Sequence, residues 1–341
     1  MSLKSKMQKK MKLQEILDKY LPIYETGVKP GTLAIRKCQI ANHILPYFGG
    51  RDLDEDEITL DECEQFVDKL KTSLSDTASY EIYNFFAQVM RFAKRKLGIP
   101  WANHVVERRR TRSKGAKSDV QFFTEKEAGA LIKEMKDNPS PKTLAIIISL
   151  TTGMRIGEVC ALRFKDIDWD YKLANVKGTL ERVYMLGKEE KESYLASGDI
   201  IEVFCKSGKQ GSTTLALMTP KTAKSERACP LIPAVYKVLK GMRVMVNDNY
   251  FIASMGEQPC EPRVLRTHYD KLLERRGLPK LNFHALRHTC ATRMLNKGVD
   301  IATVAAVLGH ASPSTTLEIY VHSNNEEKKK ALNKVFGAIK F

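Results

Sequence analysis

"FHALRHTCATRML", residues 283–295, sets His284 three positions before Arg287 and surrounds both with apolar residues. A spacing of three puts these two side chains on one helical face, while Leu286 and Cys290 help to form the buried one. His284 and His288 also stand at i and i+4, the histidine spacing of a zinc-protease helix. Ala285, however, occupies the place of the glutamate base in H-E-x-x-H, and Arg287 would set a cation beside the metal. No metal site is expected. The imidazole and the guanidinium need another partner, and the rest of the chain supplies candidates.

Composition narrows the partner. The 341 residues are enough for two domains at roughly 150 residues each. Lys and Arg number 56 against 40 Asp and Glu, a net charge of +16 that favours a polyanion. The longest apolar run, "LAIIISL" at 144–150, is far shorter than the roughly 20 residues that span a bilayer, so no membrane segment is expected. The basic start, "MSLKSKMQKKMK", runs into the amphipathic "LQEILDKYL" and not into an apolar core with a cleavage site, so the chain reads as cytoplasmic and DNA-associated. Seven cysteines without a C-x-x-C pair read as buried reduced thiols.

From residue 11 to about 106 the apolar spacing is helical, as in "LDECEQFVDKL" and "SYEIYNFFAQVMRFAKRKLG", and predicts a bundle of about four helices in an N-terminal domain, 1–106. The acidic "DLDEDE" at 52–57 reads as a loop turned away from a polyanion. A basic linker, 107–119, follows. Its Arg108, Arg109, Arg110, Arg112, Lys114 and Lys117 form either a solvated hinge or a strap on phosphates, where each contact would be salt-dependent. Thr124 and Glu127 have capping-box spacing and open the second domain, 120–322. "KTLAIIISLTTG" reads as a buried helix closed by Gly153, and "RIGEVCALRF" as another. Between 165 and 232 the pattern turns to strands, in "ANVKGTLERVYML", "DIIEVFC", "TTLALMT" and "RACPLI". Helices then resume from "PAVYKVLKGMRVMV" onward.

Three further segments join the opening stretch. In "TTGMRIGEVCALR", Arg155 follows a glycine turn at a helix N-terminus, where it can meet an anion or simply pair with Glu158. In "LMTPKTAKSERACPL", two strand-like runs flank Lys221 and put it at or beside a hairpin tip. In "DIATVAAVLGHASPSTTLEIYVH", Asp300 is an N-cap, Gly309 a helix stop, His310 lies in the turn, and a short second helix starting at Ser312 and Pro313 carries Tyr320. Together these residues meet the needs of a phosphodiester broken without metal or cofactor. Two guanidinium forks neutralise the non-bridging oxygens as charge builds. A tyrosine, ordinarily ionising near 10, needs a base such as His284 to attack at pH 7. Lysine can protonate the departing 5′ oxygen, and His310 can donate to the phosphate.

In this order, "TGMRIGE", "PKTAKSER", "HALRH", "LGH" and "TTLEIYVH" closely resemble the motifs of the tyrosine recombinase, or phage integrase, family. The likeness covers roughly 120–341, and the helical 11–106 region looks like that family's core-binding domain. The resemblance implies Tyr320 as nucleophile, Arg155 and Arg287 as phosphate clamp, Lys221 as general acid, His284 as general acid/base and His310 as phosphate donor. Lys206, Lys209 and Lys224 lie near enough to compete with Lys221. Glu158 and His288 match family positions that act as supports.

It also implies a mainly α fold with a small antiparallel β-sheet, a helical core-binding domain and an α/β catalytic domain forming a clamp around DNA. Double-stranded DNA carrying core recombination sites would be the partner, bound by a homotetramer on paired sites, with a directionality factor or host DNA-bending protein as a further partner. A β insertion at about 181–214 resembles that of conjugative-transposon integrases and would shape DNA or contact a neighbouring subunit. The tail, 323–341, would dock in cis or on a neighbouring protomer through Val335, Phe336 and Ile339. A separate arm-binding domain is not expected. The expected activity is integration or excision of a mobile element. Alternatives are chromosome dimer resolution of the Xer kind and a non-catalytic DNA-binding or architectural protein on the same scaffold.

Overall fold

The computed structural model describes residues 11–50, 58–99, 121–184, 198–204, 213–220 and 226–310. Lys221, Tyr320, the six basic linker residues, the acidic 52–57 loop, the 323–341 tail and most of the insertion lie outside the described residues. The chain divides into two compact units, 1–116 and 117–341. No described helix is long and apolar enough to cross a membrane.

The first unit contains α1 (Leu13–Glu25), α2 (Pro30–Gln39), the one-turn α3 (Leu45–Phe48), α4 (Leu60–Lys71) and α5 (Asp76–Phe92). A π turn over Ile40–Ile44 joins α2 to α3, so among the described residues the expected four helices are joined by a short fifth. In α1 the buried residues are Leu13, Ile16, Leu17 and Tyr20, and in α4 they are Cys63, Phe66, Val67 and Leu70. Both sets follow the i, i+3, i+4, i+7 stripe that turns one helical face inward. Thr59 and Glu62 close a reciprocal cap at the start of α4, and Ser75 caps α5. Phe48 stacks on Phe86 at 4.6 Å and meets Phe66 edge-on at 4.9 Å, which centres the core on aromatic rings.

The second unit opens with α6 (Glu125–Asp137), whose Thr124–Glu127 cap is the one expected. It continues with α7 (Pro141–Thr152) and α8 (Ile156–Ala161), and after the strands come α9 (Pro233–Arg243), α10 (Pro262–Arg275), α11 (His284–Asn296) and α12 (Ile301–Leu308). Helix α7 is buried along most of its length and ends at Gly153, whose left-handed φ of 69° closes it. The backbone N–H of Phe123 donates to Thr289 Oγ1 at 2.9 Å, tying the entry to α6 onto α11. Glu134 of α6 is fully buried and accepts from Arg275 and Arg276.

Among the described residues, six short strands form two antiparallel sheets where one was expected. One sheet has the order β1-β2-β6 and the other β3-β5-β4, from β1 (Ile167–Asp168), β2 (Leu173–Val176), β3 (Thr179–Tyr184), β4 (Ile200–Val203), β5 (Thr213–Met218) and β6 (Arg227–Pro230). The second sheet covers the region read as an insertion. It is tied to the rest of the unit by Arg182, which donates to both carboxylate oxygens of Glu261 at 2.7 and 2.9 Å, and by the Arg163–Glu202 ion pair.

The expected hairpin around Lys221 is not formed by β5 and β6, which lie in different sheets. Val176 pairs with Arg227, and Thr179 pairs with Met218. β5 thus ends in one ladder and β6 begins in the other, and Lys221 itself lies outside the described residues. The hairpin reading fails because strand neighbours in sequence need not pair; the register of β2 with β6 decides the partner.

Candidate active site

The turn after α7 builds the centre of the site. Ser149 Oγ donates to the Met154 carbonyl at 2.7 Å and Thr152 Oγ1 to the Ile148 carbonyl at 2.6 Å, which fixes the chain as it leaves the helix. A Cβ on Gly153 would lie 2.4 Å from Leu308 Cδ2, so α12 closes over this turn only because no side chain is there. The Gly153 carbonyl accepts from Arg287 Nη1 at 2.8 Å.

Arg287 is 2% exposed, the largest fully buried side chain among the described residues. The sequence had set it with His284 on the face opposite the buried one. The correction has a clear cause: an orphan carbonyl at the end of a buried helix can draw a guanidinium inward, because an unpaired buried C=O is costly.

Arg155 stands at the N-cap of α8. Its backbone N–H donates to Glu158 Oε2 at 2.8 Å and its Nη1 to Oε1 at 2.7 Å. The side chain is 40% exposed and can reach a ligand, whereas Glu158 is 6% exposed. Glu158 also accepts from Arg227 Nη2 at 2.8 Å and from Nη1 at 3.3 Å. Burial pushes the Glu158 carboxyl up, but the hydrogen bonds and charges of Arg227 and Arg155 outweigh it and hold the group down at about 2. Arg227 was not singled out in the sequence. It lies 69 residues from Glu158, and local spacing offered only Arg155 as a partner.

His284 begins α11 and keeps an open edge to solvent, with its ring edge-on to His288 at 4.7 Å. Partial burial, then the charges of His288, Arg287 and Arg155, push it down to about 4, with Glu158 opposing. His310 follows the glycine cap of α12, where Gly309 N–H bonds the Ala306 carbonyl at 3.1 Å and His310 N–H the Ala305 carbonyl at 3.0 Å. Burial, then the charges of Arg287, Arg155, His284 and Arg227, push His310 to about 4 as well.

Arg155, His284, Arg287 and His310 thus share one electrostatic environment, although they come from three separate parts of the chain. Lys221 and Tyr320 lie outside the described residues. Among the described residues, no group of three or more His, Cys, Asp or Glu side chains could hold a metal ion. What the four can do together is bind an oxyanion between guanidinium groups while a neutral imidazole accepts a proton.

Known proteins are similar to this chain in sequence and in fold. The chain is 28% identical over 231 residues to "Tyrosine recombinase XerC-like" of Caldanaerobacter subterraneus subsp. tengcongensis, covering 63% of this chain and 54% of that protein. It is 30% identical over 214 residues to "Tyrosine recombinase XerC" of Staphylococcus epidermidis, covering 62% and 60%. The chain therefore matches little more than half the length of these relatives. In fold it is similar to the Tn1549 transposon integrase in complex with a circular intermediate DNA, at a TM-score of 0.68 and 18% identity over 95% of this chain and 99% of that one. It is also similar to a lambda integrase dimer bound to a core site, at 0.60 and 20% identity over 89% and 97%. Residues 12–71 match the N-terminal SAM-like domain of phage integrases. Residues 121–327, more than half of the 341, match the family model itself, and the chain belongs to the phage integrase family.

Proposed function

We propose that this protein is a site-specific tyrosine recombinase that cuts and rejoins double-stranded DNA through a 3′-phosphotyrosyl intermediate, integrating or excising a mobile genetic element. The observation that carries the reading is the convergence of Arg155, Arg287, His284 and His310 on one centre. Arg155 and Arg287 neutralise the phosphate, and His310 donates one N–H to it. His284, held at about 4, is neutral at pH 7 and accepts the Tyr320 proton as the phenolic oxygen attacks phosphorus. The P–O5′ bond breaks as Lys221 protonates the leaving oxygen. A 5′ hydroxyl from a second DNA end reverses the step, returning the proton to Tyr320 through His284. Strand exchange follows because the covalent link conserves the phosphoester bond.

The wider reading is a cytoplasmic homotetramer on paired core sites, aided by a directionality or DNA-bending partner. The linker residues Arg108, Arg109, Arg110, Arg112, Lys114 and Lys117 would lie on phosphates, and binding would weaken with salt. The overall likeness in fold to a transposon integrase supports the mobile-element role. The XerC relatives favour the second reading, chromosome dimer resolution.

A nicked, end-labelled suicide substrate in EDTA tests the chemistry. The expected result is label fixed to protein on a denaturing gel, abolished by Tyr320→Phe with DNA binding kept. Adduct formation by Tyr320→Phe would refute the assignment. Substrates carrying mobile-element ends or a dimer-resolution site separate the two biological readings by which one is cleaved.

A further inference from the structure

We infer that Arg227 is a positioning residue for this reaction: by holding Glu158 and the last turn of α12 together, it keeps Arg155 and His310 aimed at one phosphate. The inference rests on the recombinase reading above. Its geometry is a three-way junction. Nη2 and Nη1 reach Glu158 on α8 at 2.8 and 3.3 Å, while Nε donates to the Val307 carbonyl on α12 at 2.8 Å. The backbone of Arg227 is registered against Val176 on β2. One side chain therefore fastens the helix that begins after Arg155, the turn that delivers His310 and the strand that follows the Lys221 segment.

Two further observations show that the junction is built around this guanidinium. Its side chain and that of Glu158 are each 6% exposed, so the pair is removed from water and from salt screening. A Cβ at Gly309 would lie 2.9 Å from Arg227 Cδ and 3.1 Å from Nη1, so the residue before His310 leaves room for it. Only arginine offers donors to two elements at once in a rigid fork; a lysine supplies the charge from a single point. Glu158 is the shared node. It faces Arg155 from its own helix and Arg227 from β6, and it interacts through space with His284 of α11 and Cys229 of β6.

The chemistry distinguishes positioning from plain stabilisation. Without Arg227, Glu158 loses its strongest opposing partner and its carboxyl rises from about 2. Once protonated, it loses its charge and can no longer accept strongly at both oxygens, so its two-point hold on Arg155 weakens and the variant acquires an acid limb in its cleavage rate. A merely structural pair would alter the folded fraction and leave the rate of folded molecules unchanged.

The experiment measures single-turnover cleavage of the suicide substrate by wild type, Arg227→Ala and Arg227→Lys from pH 5 to 8. DNA affinity and the folded fraction are measured alongside. A displacement near 1 Å predicts a loss of about 10²-fold in cleavage for Arg227→Ala with affinity nearly unchanged, and a partial rescue in Arg227→Lys. Only the alanine variant should gain the acid limb. Cleavage by Arg227→Ala at the wild-type rate across the pH range, or a loss confined to affinity, overturns the inference. If wild type itself forms no adduct, the recombinase reading fails separately. The crystal structure of Arg227→Lys then decides the point: Arg155 and His310 displaced supports it, and both unmoved overturns it.

Discussion

In the first unit, Phe48, Phe66 and Phe86 close the core, and Ser79 is the one polar side chain buried among its described residues. The second unit buries Glu134, Glu158 and Arg287 along with Thr143, Ser149, Thr152, Thr214 and Thr289. The difference separates two jobs of a core. Aromatic packing stabilises mainly through non-directional burial, with only mild preferences for stacked or edge-on rings. Buried ion pairs add little net stability, because desolvation offsets their attraction, but they have one correct geometry. The unit with the candidate active site is the one whose core fixes directions.

The most damaging way to probe the comparison is Arg287→Ala. If the buried cation serves the reaction, cleavage falls by about 10³-fold while DNA affinity changes little, as measured by adduct formation and titration of labelled DNA. Loss of binding in step with cleavage would make Arg287 a packing residue like Phe86.

Acid is the next probe. His284 and His310 sit at about 4 in the fold against an ordinary 6.5, so the unfolded chain binds protons first and stability falls as pH drops from 6.5 towards 4. Glu158, at about 2 against 4.5, adds a further loss on the order of 3 kcal/mol as pH falls from 4.5 towards 2. Alkali acts on both units, since burial raises Tyr20 in the first and Tyr269 in the second. Hydrogen exchange resolved by peptide should show the second unit loosening at pH 5 relative to pH 7. Equal loosening of both would remove the distinction.

A third probe pairs Phe86→Ala, which should cost about 3–5 kcal/mol in urea unfolding of the first unit with no dependence on salt, with Glu134→Ala in the second. Because Arg275 is half-exposed and Arg276 keeps Asp137, loss of the buried carboxylate should cost less, about 1.5–3 kcal/mol. The smallest contrast is between two left-handed glycines. Gly98→Ala meets no atom within 4 Å and should lose only the backbone preference, about 1–2 kcal/mol. Gly153→Ala drives a methyl into Leu308 and should lose clearly more, which thermal melts can rank.

Much of the architecture was legible because it is local. The Thr124–Glu127 cap, the Gly153 and Gly309 stops and the Asp300 cap each announce a helix end within a few residues, and all four stand as read. The burial of Arg287 was not legible because helical spacing sorts side chains by polarity and cannot see a distant carbonyl that needs a donor. Arg227 was missed because its partners, Glu158 and Val307, meet it only after folding. The separate pairing of β5 and β6 escaped for the same reason, being set by β2 and β3 far back in the chain.

That pairing separates the strands of the second unit into two registers. Val176 with Arg227 belongs to one ladder and Thr179 with Met218 to the other, with only residues 177–178 between β2 and β3. A one-residue slip in either ladder would turn its inward-facing side chains outward while the other kept its pairing. For exchanging parts between related enzymes, the second sheet is thus a cassette: its strands can be replaced while β2 and β6, and with them Arg227, keep their register.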